Sequence, residues 1–187
     1  MRPRCAAVAV RATRSSSTWP DVLPRPRFTI ASAPADGAEA VACLTAYYAE
    51  LDERFPEGFD AGLTTSTDVE ELTPPRGDLL LVRDVDDNAV GVGCVKLLAG
   101  LPDHQPSGHV HAEVKRMWLA PPARGHGVGR ELLDRLEVRA AELGATRVVL
   151  DTRSLLGVVP LYETAGYEAC RPFNSNPYAD WWGAKDL

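Results

Sequence analysis

What this chain lacks narrows it first. No stretch of its 187 residues stays apolar long enough to cross a bilayer as a helix, so a membrane span is not expected. The four cysteines (Cys5, Cys43, Cys94 and Cys170) are scattered and never form a C-x-x-C pair. That spacing argues against a disulfide frame or a zinc site, and it fits the reduced thiols of a cytoplasmic protein. No internal repeat appears, which sets aside solenoids and propellers. Positive charge is sparse outside the N-terminus. Residues 1–27 hold Arg2, Arg4, Arg11, Arg14, Arg25 and Arg27 against Asp21, although the whole chain carries −6. The remaining body is therefore strongly acidic. It suits a cationic partner such as an amine and argues against nucleic acid.

What is present is ordinary globular material. With 45% hydrophobic and 25% charged residues, the chain supports one core and one domain. Residues 1–26, rich in Arg, Ser, Ala and Pro, read as a basic flexible arm. The apolar piece CAAVAV is too short for a signal-peptide core, and Arg11 interrupts it. Residues 27–187 form the domain. Arg27 to Ser32 is expected as a first strand. Asp36 and Glu39 are expected to close a capping box before a helix with Val41, Leu44, Tyr47 or Tyr48, Leu51 and Phe55 at helical spacing. A proline-bearing loop comes next, with a short helix near Asp68–Leu72. Leu79–Arg83 and Ala89–Leu97 read as strands joined by the turn Asp86-Asp87-Asn88. After a loop at 100–108 come a strand at 109–119 and a main helix near 127–143, ended by Gly144. Arg147–Thr152 is apolar enough for a strand covered on both faces. A short helix bearing Leu161 and Tyr162 and two final strands complete the chain. This order predicts an α/β (α+β) fold: a mixed, mostly antiparallel sheet of six to seven strands with helices on both faces.

The stretch Glu113 to Gly129, EVKRMWLAPPARGHGVG, organises the rest. A strand-prone segment stops at Pro121-Pro122. Arg124, Gly125, His126, Gly127, Val128, Gly129 and Arg130 then lead into the amphipathic helix. A strand, a glycine-rich turn and a helix start leave backbone N–H groups pointing outward at the positive end of a helix dipole. Such a place binds a phosphate or pyrophosphate. A P-loop would require Gly-Lys-Ser/Thr, and Gly129 is followed by Arg130-Glu131. A dinucleotide fingerprint fails at Arg130 or at Leu132, depending on its start. Arg-x-x-Gly-x-Gly remains.

That motif resembles the pyrophosphate loop of the GNAT superfamily of acyl-CoA-dependent N-acyltransferases. The likeness extends both ways. EVKRMWL is similar to the family's fourth strand, VVLDT at 148–152 to its fifth, and LYETAGY at 161–167 to its last motif. The resemblance implies acetyl-CoA as co-substrate, held by main-chain groups of Arg124 to Arg130. It also implies a splayed strand at Met117, Trp118 and Leu119 that pairs with the pantetheine arm. A backbone N–H there, that of Met117 or Leu119, would polarise the acyl carbonyl. Relatives often carry an asparagine after the fifth strand. Here Arg153-Ser154 stands in that place, and Ser154 is the candidate substitute.

Two side chains are candidates for the chemistry. Glu113 is placed by the resemblance as general base; the alternative is a surface pair with Lys115 or Arg116. Tyr162 is the candidate general acid for the departing thiolate; the alternative is a core tyrosine. His109, His111 and Glu113 alternate on one strand. No metal is expected, and lining of the acceptor pocket is. His126 is expected to face solvent. Asn174, Tyr178, Trp181 and Trp182 offer walls for an acceptor pocket, core packing or a homodimer surface. No cysteine lies in these motifs, which disfavours an acyl-enzyme. The acceptor, a small-molecule or peptide amine, is not specified. One rival is a CoA-binding module without chemistry. Another is an interaction protein acting through the basic arm.

Overall fold

A computed structural model describes residues 28–63, 68–100 and 108–187. The basic arm, Cys5 and most of the 100–108 loop lie outside the described residues. Among the described residues seven strands form one sheet. In chain order they are β1 (Thr29–Ser32), β2 (Gly77–Arg83), β3 (Ala89–Leu97), β4 (His111–Leu119), β5 (Arg147–Thr152), β6 (Glu168–Ala169) and β7 (Trp181–Asp186). Their spatial order is β1-β2-β3-β4-β5-β7-β6. Every pairing is antiparallel except β4 with β5, which is parallel. Three helices connect them: α1 (Ala38–Arg54), α2 (Val128–Glu142) and α3 (Val159–Thr164).

The helices lie on opposite faces, as the alternation of β2 shows. Leu80 and Val82 pack with Leu132, Leu133 and Leu136 of α2, whereas Leu79 and Leu81 pack with Ala40 and Cys43 of α1. The three α2 leucines are fully buried, and each contributes about 1.5–3 kcal/mol by leaving water. Arg139 adds a polar tie, donating Nε to buried Asp78 of β2 at 2.7 Å, while the Ser32 hydroxyl donates to the same oxygen at 2.6 Å. These contacts fix α2 against the sheet from its middle to its C-terminal turn.

The first helix departs from expectation in two details. Its N-cap is Gly37, without a side-chain cap. Glu39 instead accepts two bonds from the Arg83 guanidinium, at 2.5 and 2.6 Å, which a single orphan N–H cannot match. The capping box closes at Asp68 and Glu71, at the head of the short 3-10 turn Val69–Leu72. Val41 is exposed, because the small residues Ala40 and Cys43 make the close approach to the sheet.

Two irregularities set β4 apart from its neighbours. Its partners on β3 step from Val92–Trp118 to Cys94–Lys115, so Gly93 faces two residues, Arg116 and Met117. This is a β-bulge, and Arg116 adopts φ 56° within it. The parallel pairing with β5 also stops at Glu113–Val149. Beyond that point the strands diverge, and β5 continues against β7 alone.

Candidate active site

The divergence of β4 and β5 opens a cavity of about 300 Å³. Val114, Met117 and Leu119 supply its β4 wall, Gly129 and Leu132 the α2 wall, and Leu161 and Tyr162 the α3 wall. A smaller pocket of about 90 Å³ adjoins it on the α1 side, sharing Tyr47, Lys115, Arg116 and Asp151. Phe55, Phe59, Tyr178 and Glu113 complete its lining together with Arg153 and Asn176.

At one end of the cavity the turn Arg124–Gly127 enters α2. Gly125 and Gly127 adopt φ 79° and 81°, the left-handed region that glycine occupies without strain. A Cβ built at either position meets no atom within 4 Å, so the space above the turn is open. Arg130 and Glu131 donate their N–H groups to the Gly127 carbonyl, whereas those of Gly125 to Gly129 find no protein acceptor among the described residues. These amides stand at the positive end of a fifteen-residue helix. The arrangement fits a diphosphate. His126 is exposed, and its ring lies 6.2 Å from that of Phe28.

The two arginines flanking the turn are engaged within the protein. Arg124 donates Nε to the Leu119 carbonyl at 2.8 Å and Nη2 to Glu50, which also accepts from Trp118 Nε1 at 2.8 Å. Trp118 therefore leans toward α1 and ties the loop to it. Arg130 bonds Asp134 at 2.8 Å and the Thr164 carbonyl at 3.0 Å, joining α2 to α3. Ser154 stands apart from the cleft lining. Its N–H and hydroxyl both donate to Asp180 Oδ1, at 2.6 and 2.9 Å, so its oxygen is committed to that neighbour.

Tyr162 is buried, with its ring 6.1 Å from Trp181 in a stacked pair. Burial, reinforced by Asp151, pushes its phenol up to about 12. Pro160 lies in the first turn of α3, where its missing N–H costs nothing, and the Gly166 turn (φ 94°) ends the motif. Glu113 is buried beside Lys115, whose Nζ donates to Oε2 at 3.3 Å. Burial pushes this carboxyl above its ordinary value; Lys115 opposes the rise and Asp151 adds to it. Burial pulls the Lys115 ammonium down, against the pull of Glu113.

His109 and His111 line neither chamber. Their rings lie 5.8 Å apart at the start of β4, where His109 Nδ1 meets Thr146 Oγ1 at 3.3 Å. Among the described residues no three His, Cys, Asp or Glu side chains gather as a metal site. Of the tail aromatics only Tyr178 reaches a chamber; Trp182 donates to Asn174 at 3.0 Å.

Asp151 went unnoticed in the sequence. It stands next to last in β5, lines both chambers, and accepts from Asn174 at 2.5 Å and Asn176 at 3.2 Å. A carboxylate closing an apolar strand was its only signal. Arg116 had none, because the bulge that aims it arises from strand register.

Comparison with known proteins agrees with this geometry. The model of the acetyltransferase (GNAT) family matches residues 40–167. An uncharacterized N-acetyltransferase of Schizosaccharomyces pombe is 32% identical over 105 residues, 56% of this chain and 60% of that protein. The match thus spans less than two thirds of that relative. A structure described as an acyl-CoA N-acyltransferase of Klebsiella pneumoniae superposes with a TM-score of 0.66 at 25% identity, covering 86% of this chain and 97% of that one. A GNAT family acetyltransferase of Elizabethkingia anophelis, solved with acetyl-CoA bound, shares the fold at 16% identity and a TM-score of 0.55, covering 86% and 98%. With its parted β4 and β5, open glycine turn and matching family model, the chain belongs to the acetyltransferase (GNAT) family.

Proposed function

We propose that this protein transfers an acetyl group from acetyl-CoA to the amine of a small acceptor, by direct attack within a ternary complex. The observation that carries the reading is the run of amides from Gly125 to Gly129, without a protein acceptor among the described residues, at the end of the cavity that Tyr162 lines. Those amides would hold the diphosphate, and the parted strands would admit the pantetheine arm with its thioester beside Met117. The neighbouring pocket would take the acceptor.

In this scheme the amine nitrogen attacks the thioester carbonyl, with a β4 main-chain N–H at Met117 or Leu119 stabilising the developing oxyanion. The nitrogen's proton passes to Glu113, directly or through a water. Burial suits Glu113 to this by making it a stronger base than an exposed carboxylate. The C–S bond then breaks, and Tyr162 donates to the leaving sulfur. A phenol at about 12 keeps its proton at neutral pH. The same desolvation raises the proton affinity of the thiolate it faces, which narrows the gap between them. No cysteine among the described residues lines either chamber, which favours direct attack over an acyl-enzyme. The scattered cysteines support a reducing, cytoplasmic setting. No described helix is long and apolar enough to cross a membrane.

Thiol release from acetyl-CoA, followed over a panel of small amines, tests the assignment. Amine-dependent release together with the matching acetamide product is expected. Calorimetric binding of acetyl-CoA without release for any amine would reduce the protein to a CoA-binding module.

A further inference from the structure

Consecutive strand residues point to opposite faces, yet Lys115 and Arg116 line the same pocket. The bulge explains this. With φ 56°, Arg116 is turned back onto the α1 side, and a non-glycine residue in that region carries strain. The turned guanidinium lies 5.8 Å over the Tyr48 ring. Five cations line the two chambers, and four have a carboxylate partner. Arg54 and Arg124 pair with Glu50, Lys115 with Glu113, and Arg153 with Glu57. Arg116 has no carboxylate partner among the described residues. A half-buried guanidinium held this way is a ready fork for a planar anion.

The rest of the pocket supplies the complement. Glu113 and Asp151 face it and suit an amine. Phe55 and Tyr178 stack at 5.4 Å, and Tyr48 and Phe59 at 5.7 Å, so its outer wall is aromatic. The pocket is about 90 Å³ and shares Leu51, Asp151, Thr152 and Leu156 with the cavity of about 300 Å³, so a small molecule has room across the junction of the two. Resting on the acetyl-transfer reading, the geometry points to a hydrophobic α-amino acid as the acceptor. Arg116 binds its carboxylate, its amine faces Glu113, and its side chain lies among the rings. Arg116 is then the specificity residue of the site.

The test compares each of L-phenylalanine, L-tryptophan and L-leucine with its decarboxylated counterpart, phenethylamine, tryptamine or isoamylamine, by thiol release and product mass. A charge-assisted bidentate contact predicts kcat/KM favouring the amino acid by roughly ten- to a hundredfold in at least one pair. In Arg116→Gln that preference collapses toward unity, chiefly through a raised KM for the amino acid. Arg116→Lys, which keeps the charge but loses the fork, restores part of it. If the plain amines are used as well as the amino acids or better in every pair, the carboxylate proposal is overturned and acetyl transfer stands. If none of the six is used, the proposal falls; if the wider amine panel is also silent, the transfer reading falls with it. A preference unchanged in the Gln variant removes Arg116 from the role.

Discussion

Gly127 offers the sharpest test of the proposed diphosphate site. It caps α2 at φ 81°, and a Cβ there would touch no atom within 4 Å. A side chain therefore meets no steric obstacle from the protein, and its folding cost is confined to the backbone, about 1–2 kcal/mol. Asparagine tolerates this conformation better than other non-glycine residues and matches aspartate in shape. Comparing Gly127→Asn with Gly127→Asp therefore isolates one negative charge beside the amides of Gly125 to Gly129. At ~5 Å from a phosphate and an effective dielectric near 20, one charge pair costs about 3 kcal/mol, roughly a hundredfold in affinity. Calorimetry with acetyl-CoA should show the Asn variant moderately weakened and the Asp variant weaker than it by about that factor. The gap should shrink at high salt. Thermal melts establish that both variants are folded. A folded Asp variant that binds as tightly as the Asn variant would refute a diphosphate at this turn.

Further expectations concern the chemistry and the frame. Tyr162→Phe should lower kcat about a hundredfold with little change in acetyl-CoA affinity; equal losses in both would make the phenol a binding group. As the proposed base Glu113 would work deprotonated, and burial raises its pKa. Activity should therefore fall as pH drops through a value above the ordinary 4.5. Glu113→Gln should remove that acid limb and lower kcat/KM by about two orders of magnitude; an unchanged limb would assign it to the acceptor. Arg139→Ala leaves the buried carboxylate of Asp78 without its cation, held only by Ser32 and the Leu79 N–H, and should cost about 3 kcal/mol in urea unfolding, the low end for a broken buried pair because the guanidinium is partly exposed. A loss below about 1 kcal/mol would make that tie incidental.

Local chemistry made most elements legible in the sequence. The α2 face of Val128, Leu132, Leu133, Leu136 and Ala140 keeps helical spacing and is buried. The glycine turn is readable because the positive φ at 125 and 127 favours glycine. LYETAGY carries its own start and stop in Pro160 and Gly166. Less legible was the phase of α1. Val41 and Ala40 are both apolar, and only closeness to the sheet decides which one turns inward.

By itself the sequence determined the order of elements, the glycine turn and the tyrosine motif, because each rests on contacts within a few residues of the chain. The tertiary structure alone decided what stands around them. It committed Ser154 to Asp180 and Arg124 to Glu50, brought Asp151 to the cleft, and turned Arg116 into the smaller pocket. Those outcomes depend on strand register and on partners 26 to 74 residues away. A one-residue slip in register sends a side chain to the other face, and no local pattern encodes it.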